Sequence, residues 1–527
     1  MKQIIKDEEK LMMSTKLLPS ALQAITERLN FPIHNHWKVG GFETYEIDLA
    51  EWNLSLTDAN PCIWVKADDI EKLSPSLLAE NLKDVVRERG WQNSTIILFV
   101  DGQPQSLRTH LPKALPTFII IDDKQQTQIQ NSNSPTSETL QILLSQMPRS
   151  QLAPYETNKP VVGNQFFGRR SEINKVLQHP DTNYLFIGIR RIGKTSLLKE
   201  IKRQMDHIDP PKNGQTRRLY VDCTVISSEE EFLQTLTFQL APTELKLLMG
   251  RAAQSKRYQS MMFDRFYSMH GGPITFLIDE LDRLLVHLSN HWDLFDALRA
   301  ASSAGKARFI MAGFRQALDA STNQQSPFFN LATSIRLGRL KRSDIKDMIV
   351  GPMERLHIHI QNREGVINRI NRETASLPNY VQFYCKTLLE QLDEKGGDTI
   401  TEDDLRAIYE NREFRDFILD TFMSNTEPFE RVLVYALIAE DNDPTERQSY
   451  SQRRMDEILK KRHLNLKYEH IDRACRSLEI AGVFNQVGRD FEFAIPLFRR
   501  ILRQTRDVEF LFEKTRDEVL TEKTLLL

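Results

Sequence analysis

Short apolar runs bounded by turn-forming residues recur near the start of the chain. Such runs predict buried β-strands, here over residues 42–49, 62–66, 95–100 and 117–121. Apolar positions at helical spacing predict a helix over residues 75–89. The pattern therefore predicts a small α/β domain over residues 1–123.

A second set of apolar runs alternates with helical sequence farther along the chain. The predicted strands lie at residues 185–188, 218–223, 275–279 and 308–312. Because helical crossovers connect the strands of parallel sheets, this alternation predicts a parallel sheet with flanking helices over residues 166–337. The apolar residues that follow Pro378 fall at helical spacing and predict a helical domain over residues 338–427.

The region 428–500 has a different pattern. Helical spacing precedes a hairpin pattern around Gly488, and three helices followed by a hairpin are typical of a winged helix. The predicted elements are helices at 429–438, 453–461 and 467–481 and a hairpin at 483–493. The last segment, 501–527, has alternating charges that predict an exposed helix. A polar stretch at 124–165, with one short apolar helix inside it, predicts a linker.

The amino-acid composition disfavours several classes of protein, including generally basic nucleic-acid-binding proteins and membrane proteins. The 527 residues include 70 lysines and arginines against 72 acidic residues, so binding to nucleic acid or membrane depends on a local patch. No apolar stretch approaches the roughly 20 residues of a membrane span, and the first residues lack the apolar core of a secretory signal. We expect a cytoplasmic protein. Its cysteines lie in apolar patterns and are expected to be core residues: Cys62, Cys223, Cys385 and Cys475.

A phosphate-binding loop follows the first strand of the second domain. Residues 188–195 read Gly-Ile-Arg-Arg-Ile-Gly-Lys-Thr, which matches G-x-x-x-x-G-K-[ST] between a strand and a helix. The glycines let backbone amides face a polyphosphate, the lysine bridges the β- and γ-phosphates, and the threonine binds Mg²⁺. The residues expected to bind ATP or ADP are Gly188, Arg190, Arg191, Ile192, Gly193, Lys194, Thr195 and Ser196.

A second motif completes the predicted site. The strand at 275–279 ends in Asp279 and Glu280, the apolar run plus Asp-Glu of a Walker B strand. Asp279 is expected to join Thr195 in holding Mg²⁺, and Glu280 to polarise the attacking water. The sequence therefore predicts an ATPase.

From Phe167 onward the chain resembles the signal-transducing NTPases with numerous domains, the STAND branch of the P-loop ATPases, which is related to AAA+ proteins. Four motifs carry the resemblance: Phe-Gly-Arg-Arg-Ser-Glu at 167–172, the loop with its paired arginines, the passage from 326 into 340, and Ser-Leu-Pro-Asn-Tyr-Val-Gln at 376–382. The last is a variant of the G-x-P motif in which Ser376 replaces the glycine.

The resemblance implies roles for two further residues. Pro378 is expected to pack on the bound nucleotide, although it also suits the first position of a helix. Arg315 follows the fourth strand, where the family senses the γ-phosphate, and it is expected to act in catalysis as an arginine finger does. A surface arginine is the alternative. The implied function is an ATP-dependent, slowly hydrolysing switch that rearranges its domains and forms a nucleotide-dependent homo-oligomer.

Two other functions stay open. A DNA-handling AAA+ ATPase also combines this core with a winged helix, but the exposed face of the helix at 467–481 is mixed in charge, with Glu469, Arg473 and Arg476, so a protein partner is favoured over DNA. The second alternative is an enzyme gated by ATP, with its catalytic centre in the domain at residues 1–123. The favoured interpretation of that domain is a sensor, effector or protein-docking module. Aspartates that follow the predicted strands of the first domain could form a metal site there, or be turn residues: Asp68, Asp69, Asp101, Asp122 and Asp123.

Overall fold

The computed structural model describes residues 20–49, 52, 54–56, 59–104, 106–112, 116–211, 215–242, 256–287, 293–324, 326, 328–441 and 448–523. Residues 1–19 of the predicted first domain, Pro327 and residues 524–527 of the predicted last helix lie outside this set. Contacts divide the chain into two compact units. The first comprises residues 1–155, 350–359 and 389–400, and the second residues 156–349, 360–388 and 401–527.

A five-stranded sheet forms the centre of the first unit. Its strands, in spatial order, are β1 (Ile33–Val39), β2 (Phe42–Ile47), β3 (Asn60–Val65), β4 (Thr95–Val100) and β5 (Thr117–Ile121). The first three pair antiparallel, and β3, β4 and β5 run parallel. The sequence predicted β2 to β5 but missed β1, an edge strand of mostly polar, partly exposed residues that lacks an apolar run.

Helices flank this sheet. They are α1 (Ser20–Leu29), α2 (Ala67–Lys72), α3 (Pro75–Arg89), α4 (Asp123–Asn131), α5 (Pro135–Leu144) and α6 (Arg149–Leu152), with a 3₁₀ turn at Leu107–Thr109. The bounds of α3 are those predicted, because Ser74 caps its start and the left-handed Gly90 ends it.

The prediction of a linker at 124–165 is wrong over much of its length. The polar stretch after β5 forms α4, since the side chain of Asp122 accepts a hydrogen bond from the Gln125 amide and a capping box closes the helix start. Gln126 and Ile129 are buried in the first unit. Farther along, the backbone amides of Arg149 and Ser150 donate to the carboxylate of Asp393, also in this unit.

A second five-stranded sheet lies in the second unit, with all strands parallel. Its strands are β6 (Tyr184–Ile187), β7 (Arg218–Asp222), β8 (Ile274–Asp279), β9 (Ala307–Gly313) and β10 (Thr333–Arg336), in the spatial order β10-β6-β9-β8-β7. This confirms the predicted P-loop α/β fold. The short, largely exposed β10 was missed because it has no apolar run.

The helices of this α/β region are α7 (Arg170–Gln178), α8 (Lys194–Ile208), α9 (Glu229–Leu240), α10 (Lys256–His270), α11 (Leu281–His287), α12 (Asp293–Ser303) and α13 (Arg315–Thr322). One apolar core joins them to the sheet, and within it Phe263 packs edge-on against Phe276 and Phe309. A 3₁₀ turn at Gly163–Gln165 precedes α7.

The predicted helical region follows β10. It contains α14 (Arg342–Arg355), α15 (Arg363–Glu373), α16 (Pro378–Lys395), α17 (Glu402–Ala407) and α18 (Arg412–Asn425), with a 3₁₀ turn at Ile408–Glu410 and the two-residue strands β11 (His359–Ile360) and β12 (Thr399–Ile400). Among the described residues, none of the helices is long and apolar enough to cross a lipid bilayer.

The last region has the predicted order of elements, although its interpretation as a winged helix stays a prediction. It contains α19 (Pro428–Glu440), β13 (Ser449–Tyr450), α20 (Gln452–Lys461), α21 (Tyr468–Ile480), β14 (Phe484–Val487), β15 (Asp490–Phe493), α22 (Pro496–Thr505) and α23 (Val508–Lys523). Helix α21 buries the apolar face that was predicted and exposes Arg473 and Arg476.

The prediction of an exposed C-terminal helix is wrong for α23. This helix packs against α19 and buries Val508, Phe512 and Val519, which share one face at helical spacing. The alternating charges of this segment obscured its apolar face in the sequence. The four cysteines are confirmed as core residues, each fully buried.

Candidate functional site

The phosphate-loop motif lies where the sequence placed it. The loop runs from Gly188, directly after β6, to Gly193, whose φ of 94° gives the left-handed conformation from which α8 starts. Gly188 is required for space, because a Cβ atom there would lie 2.9 Å from Ile192 Cγ2 and 3.2 Å from Leu337 Cβ. Steric constraints therefore explain both glycines of the motif: Gly188 has no room for a side chain, and Gly193 has a positive φ.

Lys194 is the buried cation of the loop. Its Nζ donates to the carbonyl oxygens of Gly188 at 2.9 Å and Ile189 at 3.0 Å. Burial lowers the pKa of Lys194, although the nearby carboxylates of Glu280 and Asp279 oppose the shift. An ammonium group in this position is partly desolvated and held by neutral oxygens, so an anionic ligand would stabilise its charged form.

Asp279 ends strand β8 and Glu280 follows it, but the two side chains face different surroundings. The Asp279 carboxylate is buried, and it accepts hydrogen bonds from the Tyr220 hydroxyl and the Glu280 amide, each at 2.9 Å. Burial and the Asp279 charge raise the pKa of Tyr220. Glu280 has a φ of 50°, an uncommon left-handed conformation for a non-glycine residue. This turn of the backbone brings Glu280 to the cleft.

The cleft has a volume of about 770 Å³ and lies in the second unit. Of the predicted site residues, residues 190–196, Glu280 and Pro378 line the cleft. Gly188, Asp279 and Arg315, which the structure also describes, do not line it. The remaining lining comes from residues 156–161, 166, 167, 169, 340, 348, 379, 382, 420, 423 and 424.

Arg315 is placed differently from the prediction. Its guanidinium forms an ion pair with Glu430 on α19, with N–O distances of 2.5 and 2.6 Å, and donates to the carbonyl oxygen of Asn425 and to Ser477 Oγ. Strand β9 ends beside the Walker B strand, but the long arginine side chain turns to the carboxylate of α19. The structure thus gives Arg315 a contact with the C-terminal helices instead of the cleft.

The segment that lines one side of the cleft gave no recognisable signal in the sequence. The backbone amides of Glu156, Val161 and Gly163 donate in turn to the side chains of Gln382, Ser196 and Glu200. Glu200 is buried on α8 and also binds Arg203 and Gln204. We call residues 156–163 the strap. The sequence of the strap has no periodic pattern, so it gave no prediction. The one sign visible in the sequence was Glu200, a glutamate in the apolar face of α8.

Asp282 is a second missed residue. Its carboxylate accepts hydrogen bonds from the backbone amides of Phe314, Gln316 and Ala317, which start α13. It therefore fixes the Walker B turn to the end of β9 and caps the helix that carries Arg315. Asp282 follows Asp279 by three residues, but this spacing alone does not identify a role for it in the sequence.

Residues of α18 also reach the phosphate loop. The Arg190 amide donates to Asn425 Oδ1 at 2.8 Å, and the Arg191 guanidinium lies 4.7 Å from the centre of the Phe417 ring. Asp420, Met423 and Ser424 line the cleft. These contacts join residues more than 200 positions apart, so local patterns carry no sign of them.

The donors around the cleft fit a phosphate-bearing ligand. Asn379, at the start of α16, has a buried Nδ2 atom with no hydrogen-bond partner among the described residues, and it lines the cleft. Such a donor is costly unless a ligand accepts its hydrogen bond. Asn379, Lys194 and the loop amides provide hydrogen-bond donors for phosphate groups, and the Thr195 hydroxyl provides an oxygen ligand for Mg²⁺. Together these groups suit ATP with Mg²⁺.

The aspartates of the first unit have the contacts of turn and cap residues. Asp122 caps α4, Asp68 pairs with Lys72 at 2.8 Å, and Asp101 accepts a hydrogen bond from Trp64 Nε1. Burial raises the pKa of Asp101. The parallel order of β3, β4 and β5 does bring these strand ends to one edge. Within the described residues, however, they do not gather into a group of three potential metal ligands.

One known protein family matches the α/β region of the second unit. A family model described as an AAA domain matches residues 178–320, which include the phosphate loop and β8. No curated protein matches the chain in sequence.

Several solved structures are similar to parts of the chain. The Walker-type ATPase PABY2304 of Pyrococcus abyssi has a TM-score of 0.45 at 13% identity, over 66% of this chain and 99% of its own. The Aeropyrum pernix ORC2 protein has a TM-score of 0.47 at 14% identity, over 71% and 98%. The Thermotoga maritima RuvB Holliday junction branch migration motor has a TM-score of 0.36 at 13% identity, over 64% and 95%.

The motif, the parallel sheet and the family match concern the same part of the chain. Residues 178–320 are therefore a P-loop NTPase domain of the AAA+ type.

Proposed function

We propose that this protein is an ATP-binding and slowly hydrolysing switch of the STAND type, which couples its nucleotide state to a rearrangement of its domains and to assembly with other copies. The observation that carries the proposal is the set of contacts between the nucleotide domain and the C-terminal helices. The phosphate loop binds Asn425 through Arg190, and β9 is joined to α19 through Arg315 and Glu430.

These contacts give a nucleotide a means of changing the protein's shape. A ligand shifts a conformational equilibrium only if it binds the two states with different affinity. Here the loop that would hold the phosphates also contacts α18, and Asp420, Met423 and Ser424 line the same cleft. A bound polyphosphate that changes the loop or its charge therefore changes the free energy of docking α18.

The residues of the loop and of β8 divide the chemistry between them. Lys194 and the loop amides would hold the phosphates, and Thr195 and Asp279 would hold Mg²⁺, which supplies charge stabilisation when bound. Glu280 lines the cleft, and its carboxylate would orient the attacking water. Because hydrolysis in a switch ends a signal, turnover is expected to be slow.

Arg315 acts in this proposal as a latch. Its ion pair with the buried Glu430 holds the C-terminal helices against the core, and Glu430 is 3% exposed. Breaking such a pair leaves an uncompensated buried charge, so the latch favours one arrangement strongly. This role replaces the arginine finger that the sequence predicted.

The test compares particle mass and small-angle scattering of the full chain with Mg-ADP and with Mg and a non-hydrolysable ATP analogue. The switch predicts different scattering profiles, or different masses, for the two nucleotides. Lys194→Ala should show the same profile with both. If the wild-type protein gives one profile and one mass with both nucleotides over a range of concentrations, the switch proposal fails.

A DNA-handling ATPase is the second candidate. The helix-and-hairpin order of the C-terminal region and the exposed Arg489 of its hairpin favour it, whereas α21 exposes Glu469 as well as Arg473 and pairs Arg476 with Asp472. Adding double-stranded DNA to the same samples separates the two functions. A DNA-dependent motor hydrolyses ATP faster with DNA, whereas the proposed switch keeps its rate.

A further inference from the structure

A second cavity of about 400 Å³ lies in the second unit and shares no lining residue with the nucleotide cleft. We propose that it is a binding pocket for a small phosphomonoester that regulates the nucleotide site. Its polar lining includes Arg339, Arg372, Arg499, Asn371, Ser376 and Asn485, together with Gln448 and Glu492. We call this cavity the arginine pocket.

The charge of the arginine pocket favours an anion. Three guanidinium groups line it, and Glu492 is the carboxylate in its lining. Arg499 is 3% exposed, paired with the buried Asp441, and lies 5.6 Å from the centre of the Phe493 ring. Arg339 contacts the amide oxygen of Asn485, a neutral partner, and the nearby carboxylate of Glu479 also interacts with its charge. Guanidinium groups bind phosphate through paired hydrogen bonds, which makes phosphate the best-suited ligand group.

The size and the walls of the pocket indicate more than a free ion. Ligand sites of drug-sized molecules begin at about 300 Å³, so this cavity has room for a phosphate with an organic group attached. Val487 and Phe493 provide apolar surface, while Asn371, Asn485 and Ser376 provide neutral hydrogen-bonding groups. These neighbours suit a small organic phosphate with one ring or chain.

The arginine pocket and the nucleotide cleft meet at two short segments. Arg339 lines the pocket and Leu340 the cleft; Ser376 lines the pocket and Pro378 the cleft. The Leu340 amide donates to the carbonyl oxygen of Ser376 at 3.0 Å, which joins the two segments. A displacement caused by a ligand in one cavity is therefore passed directly to the wall of the other.

The backbone at this junction is strained. Ala375 and Ser376 have consecutive left-handed φ values of 49° and 59°, which residues with a Cβ atom rarely adopt. Such strain persists only where surrounding contacts maintain it, and it accumulates at ligand sites and switches. A ligand that binds Ser376 would shift this turn and thereby the start of α16 at Pro378. This coupling to the cleft rests on the proposed ATP-dependent function, whereas the pocket itself does not.

The experiment titrates inorganic phosphate into the full chain saturated with Mg and a non-hydrolysable ATP analogue, which fills the phosphate loop. Ionic strength is kept constant with chloride, and ³¹P NMR line broadening reports binding. Wild-type protein should bind phosphate, and Arg372→Ala or Arg339→Ala should raise the half-saturating concentration about tenfold or more, the loss expected for one charge-assisted hydrogen bond. Arg453→Ala, a 90% exposed arginine on α20 outside the pocket, is the matched control and should bind as wild type does.

The outcomes separate the parts of the proposal. Absence of broadening with wild-type protein, or equal broadening with both pocket variants, overturns the pocket. If phosphate binds in the pocket but leaves the affinity for the ATP analogue unchanged, the regulatory role is wrong. If the analogue itself fails to bind, the nucleotide function fails, and titration without analogue then decides the pocket alone.

Discussion

At the scale of the residue, Lys194 is the side chain whose loss we expect to weaken nucleotide binding most. Its buried ammonium donates to two loop carbonyls, and a phosphate would provide the opposite charge that these carbonyls lack. Wild-type protein at 100 times the dissociation constant of Mg-ATP should gain about 2.7 kcal/mol in the free energy of unfolding. Lys194→Ala should lose most of this gain, as measured by thermal unfolding. Lys202→Ala, on the same helix but paired with Asp206, is the control, and equal gains for Lys194→Ala and wild type would remove Lys194 from the site.

Glu280 separates binding from turnover at the same scale. Glu280→Gln keeps the side-chain size and removes the carboxylate that would orient water, so Mg-ATP should still stabilise the protein while hydrolysis falls by about 100-fold or more. Phosphate release under single-turnover conditions measures this. Glu427→Gln, an exposed glutamate outside the cleft, should hydrolyse ATP at the wild-type rate. Unchanged hydrolysis in Glu280→Gln would assign the activation of water to another group.

At the scale of the element, the strap depends on Glu200. Burial raises the pKa of this carboxyl, but hydrogen bonds from Arg203, Gln204 and the Gly163 amide outweigh it and hold the pKa below its usual 4.5. A lowered folded-state pKa adds stability above about pH 4.5, which is lost as pH falls through the folded value. Glu200→Gln should therefore lower stability at pH 7 and weaken its dependence on pH below about 4.5. Urea unfolding at a series of pH values checks this, and an unchanged pH dependence would contradict it.

The elements themselves show what a sequence pattern can predict. Strands such as β4 and β8 are buried on both faces, so their apolar runs gave accurate bounds, and the cap residues Ser74 and Gly90 fixed α3. The edge strand β1 and the polar helix α4 were missed because exposure removes the apolar signal.

The same limit applies to the site. The loop residues and Glu280 were predicted because their motifs are continuous in sequence. Arg315 was misplaced because its partner, Glu430, lies 115 residues away, and only the packing of α19 decides which group the guanidinium reaches.

At the scale of the whole molecule, Arg315 and Glu430 distinguish a latch from a phosphate sensor. If Arg315 senses the γ-phosphate, Arg315→Ala gives the ADP-like shape with both nucleotides. If its pair with Glu430 holds the C-terminal helices in the ADP state, Arg315→Ala and Glu430→Gln should both give the shape of the ATP-analogue state even with ADP. Small-angle scattering of the full chain measures this. Glu427 lies 3.8 Å from Arg315 but is 62% exposed, so Glu427→Gln is the matched control and should behave as wild type because exposed pairs contribute little. An ADP-like profile in Arg315→Ala together with a wild-type response in Glu430→Gln would overturn the latch and restore the sensor.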